Sequence, residues 1–187
     1  MALAQAPAPE ADPVPRAPGA GRQAPAQPPA TLPSLYERLK GAATPAEAEA
    51  VVRQIARRWG RSGSETSDLL MSRARQAMGH RNAPLAVELL DRVIAIQPNW
   101  PEAWHVRGLA FFMMQDDARA LFDLRQTLRL EPNHFMALGL TAATLQRQGD
   151  SRGALRAFRA VQEMHPHFQG VKDAIERLAP LVDGRDA

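Results

Sequence analysis

Residues 101–134 read PEAWHVRGLAFFMMQDDARALFDLRQTLRLEPNH. Large and small residues at helical spacing lie on both sides of Gln115-Asp116, and Pro132 ends the second stretch. That pattern predicts two helices joined by a tight turn. The frame recurs on either side: Pro98, Pro132 and Pro166 are 34 residues apart, and Ala86, Ala120 and Ala154 keep the same step. One helix–turn–helix unit cannot bury its apolar face alone. A fixed period of this length therefore predicts an all-α solenoid in which neighbouring units complete each other's core.

In the frame 67–100, 101–134 and 135–168, each proline falls at position 32 of its unit. The second unit places Trp104, Gly108, Phe111, Ala120, Leu124 and Thr127 at positions 4, 8, 11, 20, 24 and 27. The third has Leu138, Ala142, Leu145, Ala154, Phe158 and Val161 there, and the first has Leu70, Ala74, Ala77, Ala86, Leu90 and Val93. Small residues at positions 8 and 20 let two helices approach, large ones fill the surrounding space, and the proline stops the second helix. This register resembles the tetratricopeptide repeat (TPR). Ala77 departs most from it, so a less tightly filled first unit is expected.

Residues 1–32 carry Pro7, Pro9, Pro13, Pro15, Pro18, Pro25, Pro28 and Pro29 with few large apolar side chains. Such a segment cannot offset its ordering entropy by burial, so a disordered or polyproline-type tether is expected. Residues 33–66 are expected to form an N-terminal helix pair, 33–43 and 45–61. Thr44-Pro45 is the start signal of the second helix, and Leu35, Leu39, Val52, Ile55, Ala56 and Trp59 supply the apolar faces. The pair is read as a degenerate leading repeat or an N-terminal cap, ended by Ser62-Gly63-Ser64. Beyond Pro166, Val171, Ala174, Ile175 and Leu178 predict a helix over 169–179 that caps the last repeat, within a closing segment 169–187. About nine helices and no strands are expected.

Net charge is +3, and Lys40 and Lys172 are the only lysines. No apolar run approaches the ~18 residues that span a bilayer, so no transmembrane segment is expected. Arg53, Arg57, Arg58 and Arg61 cluster on one predicted helix. They read as a solvated face rather than a nucleic-acid patch, which would call for exposed stacking aromatics. Ala2-Leu3-Ala4 before Gln5-Ala6 matches the small-x-small pattern of a signal-peptidase site, at 1–4. Ser62 to Met71, with the helices before it, resembles a group of small exported TPR proteins of Gram-negative bacteria. A periplasmic location is expected, with the cytoplasm as the alternative.

Catalysis has little support. There is no cysteine and no glycine-rich phosphate loop. His165-Pro166-His167 could offer two imidazoles to a metal, but the proline restricts their convergence and no third ligand lies near in sequence. They are read as surface turn residues, and no metal or cofactor is expected. Ser62 and Ser64 beside Gly63 read as linker.

The resemblance implies that function lies in a concave groove lined by the first helix of each unit. Carried over by position, the partner-binding residues are Met71, Arg75 and Met78 in the first unit. Those in the second are His105, Leu109, Phe112 and Met113, and those in the third Met136, Leu140 and Arg147. This methionine-rich set suits an apolar helix or extended peptide. One TPR subgroup holds acidic chaperone C-termini in a clamp of Lys, Asn and Arg. The matching positions here include Met71, Arg75, Val106, Met136 and Leu140, of which only Arg75 is basic, so an acidic-tail ligand is not expected. Arg107 at position 7 and Asp123 at position 23 are expected to pair across the second unit, as such residues do in many repeats. The functional reading is a non-catalytic adaptor for a protein or peptide partner. The alternative is a self-associating assembly component, and a homo-oligomer stays open.

Overall fold

The computed structural model describes residues 30–184. The expected tether up to residue 29, the processing-site pattern at 1–4 and residues 185–187 lie outside the described residues. Nine helices and no strands occur among the described residues: α1 (Leu32–Lys40), α2 (Pro45–Trp59), α3 (Glu65–Gly79), α4 (Ala83–Ile96), α5 (Pro101–Met113), α6 (Asp117–Leu130), α7 (Phe135–Arg147), α8 (Ser151–Met164) and α9 (Val171–Asp183). Helices α3 to α8 form three antiparallel pairs that stack in chain order, and α9 packs on α8.

Each repeat turns through the same local device. The residue at position 15 is left-handed in all three: Arg81 (φ 59°), Gln115 (φ 61°) and Gly149 (φ 83°). The next residue then caps the second helix. Asn82, Asp116 and Asp150 accept from the backbone N–H groups of Leu85, Arg119 and Gly153, which satisfies one orphan donor at each helix start. Gly108 marks the close crossing of α5 and α6, where a Cβ would lie 3.3 Å from the Leu124 side chain and 3.4 Å from the Ala120 carbonyl. Ala77 is buried in the first-repeat core, and the half-buried Met78 packs against that core. The last helix starts later and runs further than expected: Gly170 (φ 74°) precedes it, and it passes through Pro180 to Asp183.

The N-terminal pair is placed differently from either expected position. A leading repeat or a cap on the first unit would share a core with α3 and α4. The apolar cluster of the pair (Leu35, Leu39, Val51, Ile55, Trp59) instead closes on Phe135, Met164 and Phe168. The pair therefore lies along the edge where one repeat turns into the next. Position 34 presents a ring there in every unit. The Trp100 Nε1–H donates to the Trp59 carbonyl at 2.6 Å. The His134 imidazole stacks on Trp59 at 3.9 Å and 8°, and Phe168 joins the cluster of the pair. At the far end, His167 Nε2 lies 2.9 Å from the Ala42 carbonyl. Burying each of Leu35, Leu39, Val51 and Ile55 stabilises this docking by about 1.5–3 kcal/mol.

Candidate partner-binding groove

Helices α3, α5 and α7 lie side by side, so their outward positions form one continuous face. The ten residues expected on it fall into three groups. Met71 (4% exposed) and His105 (5%) are buried, which corrects their assignment as contact residues. Met78 is also drawn inward, against the first-repeat core. Met71 and Met78 pack with the first-repeat core, and His105 lies against Glu102 and His134.

A second group is tied up in ion pairs between repeats. Arg75 donates to Glu102 Oε1 at 2.5 Å. Arg147 pairs with Asp117, donates to the Phe112 carbonyl at 3.1 Å and lays its guanidinium 3.9 Å from the Phe112 ring centre. These arginines bolt α3 to α5 and α7 to the second repeat. The third group remains available: Leu109, Phe112 and Leu140 are half-buried, and Met113 (47%) and Met136 (41%) are exposed.

Beside this face sits a buried polar cluster that the sequence reading did not identify. Glu102 Oε2 lies 3.1 Å from His134 Nε2 and 3.5 Å from His105 Nδ1. The Ala137 N–H donates to His134 Nδ1 at 3.1 Å, so Nε2 carries the proton and donates to Glu102. Burial holds the His134 imidazole below the ordinary histidine value, against the opposing pull of Glu102. Burial also works against the Glu102 charge, but the His105 and His134 imidazoles hold its carboxyl well below the usual carboxylate range. The three side chains are close enough to share a metal ion. The tautomer argues against that use: with Nδ1 accepting from a backbone N–H, His134 would have to become an imidazolate to bind metal through Nε2. The cluster is a junction joining α3, α5, α7 and, through the Trp59 stack, α2.

Arg107 donates to both Asp123 carboxylate oxygens at 2.8 Å and to Asp91 Oδ1 at 2.7 Å. One guanidinium thus ties the second repeat internally and to the first repeat. His165 and His167 are not surface turn residues. His165 is buried, and His167 meets the α1–α2 loop. Ser64 caps α3, and the Ser62 hydroxyl donates to Asp68 at 2.7 Å. Arg57, Arg58 and Arg61 border an open cleft beside Leu32.

These features define an all-helical repeat protein with one apolar face crossed by ion pairs. A TPR repeat-containing protein of Rhizobium etli is 31% identical over 163 residues, covering 87% of this chain and 80% of the relative. The chain belongs to the TPR repeat-containing proteins. No family model matches it. Among solved structures, the first TPR domain of Spaghetti (RPAP3), bound to the HSP90 peptide SRMEEVD, superposes with a TM-score of 0.62 at 15% identity, covering 64% of this chain and 95% of that one. MamA superposes with a TM-score of 0.60 at 17% identity, covering 75% and 82%. The Sgt2 TPR domain of Aspergillus fumigatus gives 0.60 at 19%, covering 66% and 83%. At these identities the likeness is one of fold.

Proposed function

We propose that this protein is a non-catalytic adaptor whose face of first helices captures a peptide or helix of a partner protein. The observation that carries the reading is the apolar set that reaches the surface there: Met113 and Met136 exposed, with Leu109, Leu140 and the Arg147-flanked Phe112 half-buried beside them. Fold neighbours support it, since TPR domains of this shape hold peptides. The ligand class differs from theirs. Arg75, the one basic residue at the clamp positions considered, is already neutralised by Glu102, so the face favours an apolar segment over an acidic tail. Affinity capture from native extract, with Phe112→Glu/Leu140→Glu as the comparison, tests this. A partner held by the parent and lost by the folded variant supports the groove, and identical proteins on both baits contradict it.

A second reading, self-association, is favoured by the first repeat. Because α1–α2 pack elsewhere, Leu69 and Leu85 of α3 and α4 are exposed. Sedimentation of the parent against Leu69→Glu/Leu85→Glu separates the readings: a mass that falls in the variant supports assembly. A periplasmic location is part of this proposal, with the cytoplasm as the alternative; it rests on the Ala2-Leu3-Ala4 pattern and on the likeness of Ser62 to Met71 to a group of small exported TPR proteins. Fractionation of the source cells checks this, and recovery in the cytoplasm alone would refute it.

A further inference from the structure

We propose that His134 is a proton-sensitive latch for the C-terminal end of α2: taking up a proton in mild acid frees Trp59 and the loop to Ser64 while the repeat stack stays folded. The device does not depend on what the capture face binds.

The latch follows from where a second proton has to go. His134 is wholly buried, and its Nε2 already carries a proton directed at Glu102. The open nitrogen, Nδ1, is the cap of α7 and accepts from the Ala137 N–H at 3.1 Å. A proton placed there sets two donors against each other at the positive end of a helix. The charged ring therefore has to leave its seat. The elements around that seat are unequally held. Helices α5 and α7 are each packed against the second helix of their own unit. The end of α2 is held by the Trp59 ring on His134 (3.9 Å), by the Trp100 Nε1–H to the Trp59 carbonyl (2.6 Å) and by the Trp59 Nε1–H to the Tyr36 hydroxyl (3.1 Å). It is the end of α2 that yields. The opening stays local, because Leu35, Leu39, Val51 and Ile55 keep the rest of the pair on Phe135 and Phe168.

Burial is the largest influence on His134 and holds its imidazole below the ordinary histidine value of 6.5. From α5, Glu102 pulls towards a charged ring and His105, 4.6 Å away, opposes one. Glu102 is already shared with Arg75 of α3. From α1, Tyr36 meets Trp59 and Glu131 of the turn before α7, and α2 presents the uncharged Trp59 ring. When Trp59 lifts, water reaches His134 and its ordinary affinity for a proton returns. The open form thus binds the proton more tightly than the closed form, so acid shifts the population towards it. One proton coupled to opening raises the open population by up to about tenfold per pH unit below 6.5.

The test is NMR of the full chain between pH 7.5 and pH 5, following the histidine ring nitrogens, the Trp59 indole N–H and amide hydrogen exchange corrected for its intrinsic pH dependence. At pH 7.5 His134 is expected as the Nε2–H form. On acidification, its protonation should coincide with movement of the Trp59 indole signal. Exchange at Gly60 and Arg61 should rise roughly tenfold or more, while α6 and α8 keep their protection. His134→Asn retains an acceptor for the Ala137 N–H and cannot take the proton, so its exchange at Gly60 should not change with pH. His165→Asn, at the other buried histidine, should respond as the parent does. The parent titration decides by itself if a variant does not fold. Protonation of His134 with the Trp59 signal unmoved, an equal rise of exchange in α8, or a His134→Asn response like the parent's would each overturn the proposal.

Discussion

The repeat stack and the helix pair beside it are held by contacts of opposite kind. Within the stack, an Asx cap, a left-handed turn residue and a small-residue crossing recur every 34 residues. Each joint resembles the next, so loss of one is shared among neighbours. The α1–α2 pair is held by contacts that each occur once: Trp59 on His134, the Trp59 carbonyl under Trp100, and Ala42 against His167. The periodic region is built from repeated joints, and the docked region from one shared apolar cluster with ring and backbone contacts that occur once each.

The sharpest way to break the contrast is Trp59→Ala. It removes the ring that stacks on His134 and packs on Phe135, at an expected cost of about 3–5 kcal/mol. Hydrogen exchange should then rise across α1 and α2 while α5 to α8 keep their protection. Equal loss throughout would mean that the pair and the stack form one cooperative unit.

Asp123→Ala comes next, at about 3 kcal/mol by denaturant titration, because Arg107 loses its bidentate partner in a part-buried site. The loss should be smaller than that of Trp59→Ala because Asp91 still meets the guanidinium. Exchanging both charges for apolar groups, Arg107→Met/Asp123→Leu, should recover much of it.

Acidification sharpens the comparison through the junction. His134 and His165 have folded-state values lowered by burial, so the unfolded chain takes up protons first. Their contribution is complete above about pH 6.5 and is lost as the pH falls below it. Glu102 is also lowered and adds a loss of the same sign further down, as the pH drops below its ordinary value of 4.5. The melting temperature should fall between pH 7 and pH 5. His134→Asn, which can still cap α7, should flatten that slope.

The smallest effect expected is a gain in the periodic region. Arg81 and Gln115 hold the left-handed conformation that Gly149 adopts at the same position. Arg81→Gly and Gln115→Gly should each stabilise by about 0.5–1 kcal/mol in thermal melts, the relief of backbone strain less the added entropy of glycine.

The part of the fold that repeats was legible in the sequence because a period is a local property written three times. The helix pairing within each unit, the turn at Gln115-Asp116 and the helix-start signal at Thr44-Pro45 all follow from spacing and capping chemistry, whereas α3 begins at Glu65, two residues ahead of the repeat frame. The docking of α1–α2 was not legible, because it joins residues 75 apart, such as Trp59 and His134, that share no period. One signal was present and missed: Trp100, His134 and Phe168 put a ring at position 34 of every unit, an unusual demand on a turn unless something packs against it. The placement of the expected groove residues on the first helices was legible, their burial was not. Positions placed the residues on the right helices, but the burial of Met71 and His105 depends on neighbours that the repeat pattern does not encode. Glu102 gave no sign of the His105–His134 cluster, since His134 comes 32 residues later, in the turn before α7.

A double-mutant cycle between Trp59→Ala and His134→Ala, measured by urea unfolding, tests most directly whether the pair docks on the repeat edge. The account predicts that the two changes are coupled by about 0.5–3 kcal/mol, as expected for rings in contact. Additivity within about 0.5 kcal/mol would mean that Trp59 and His134 do not meet, and that the pair sits elsewhere on the stack.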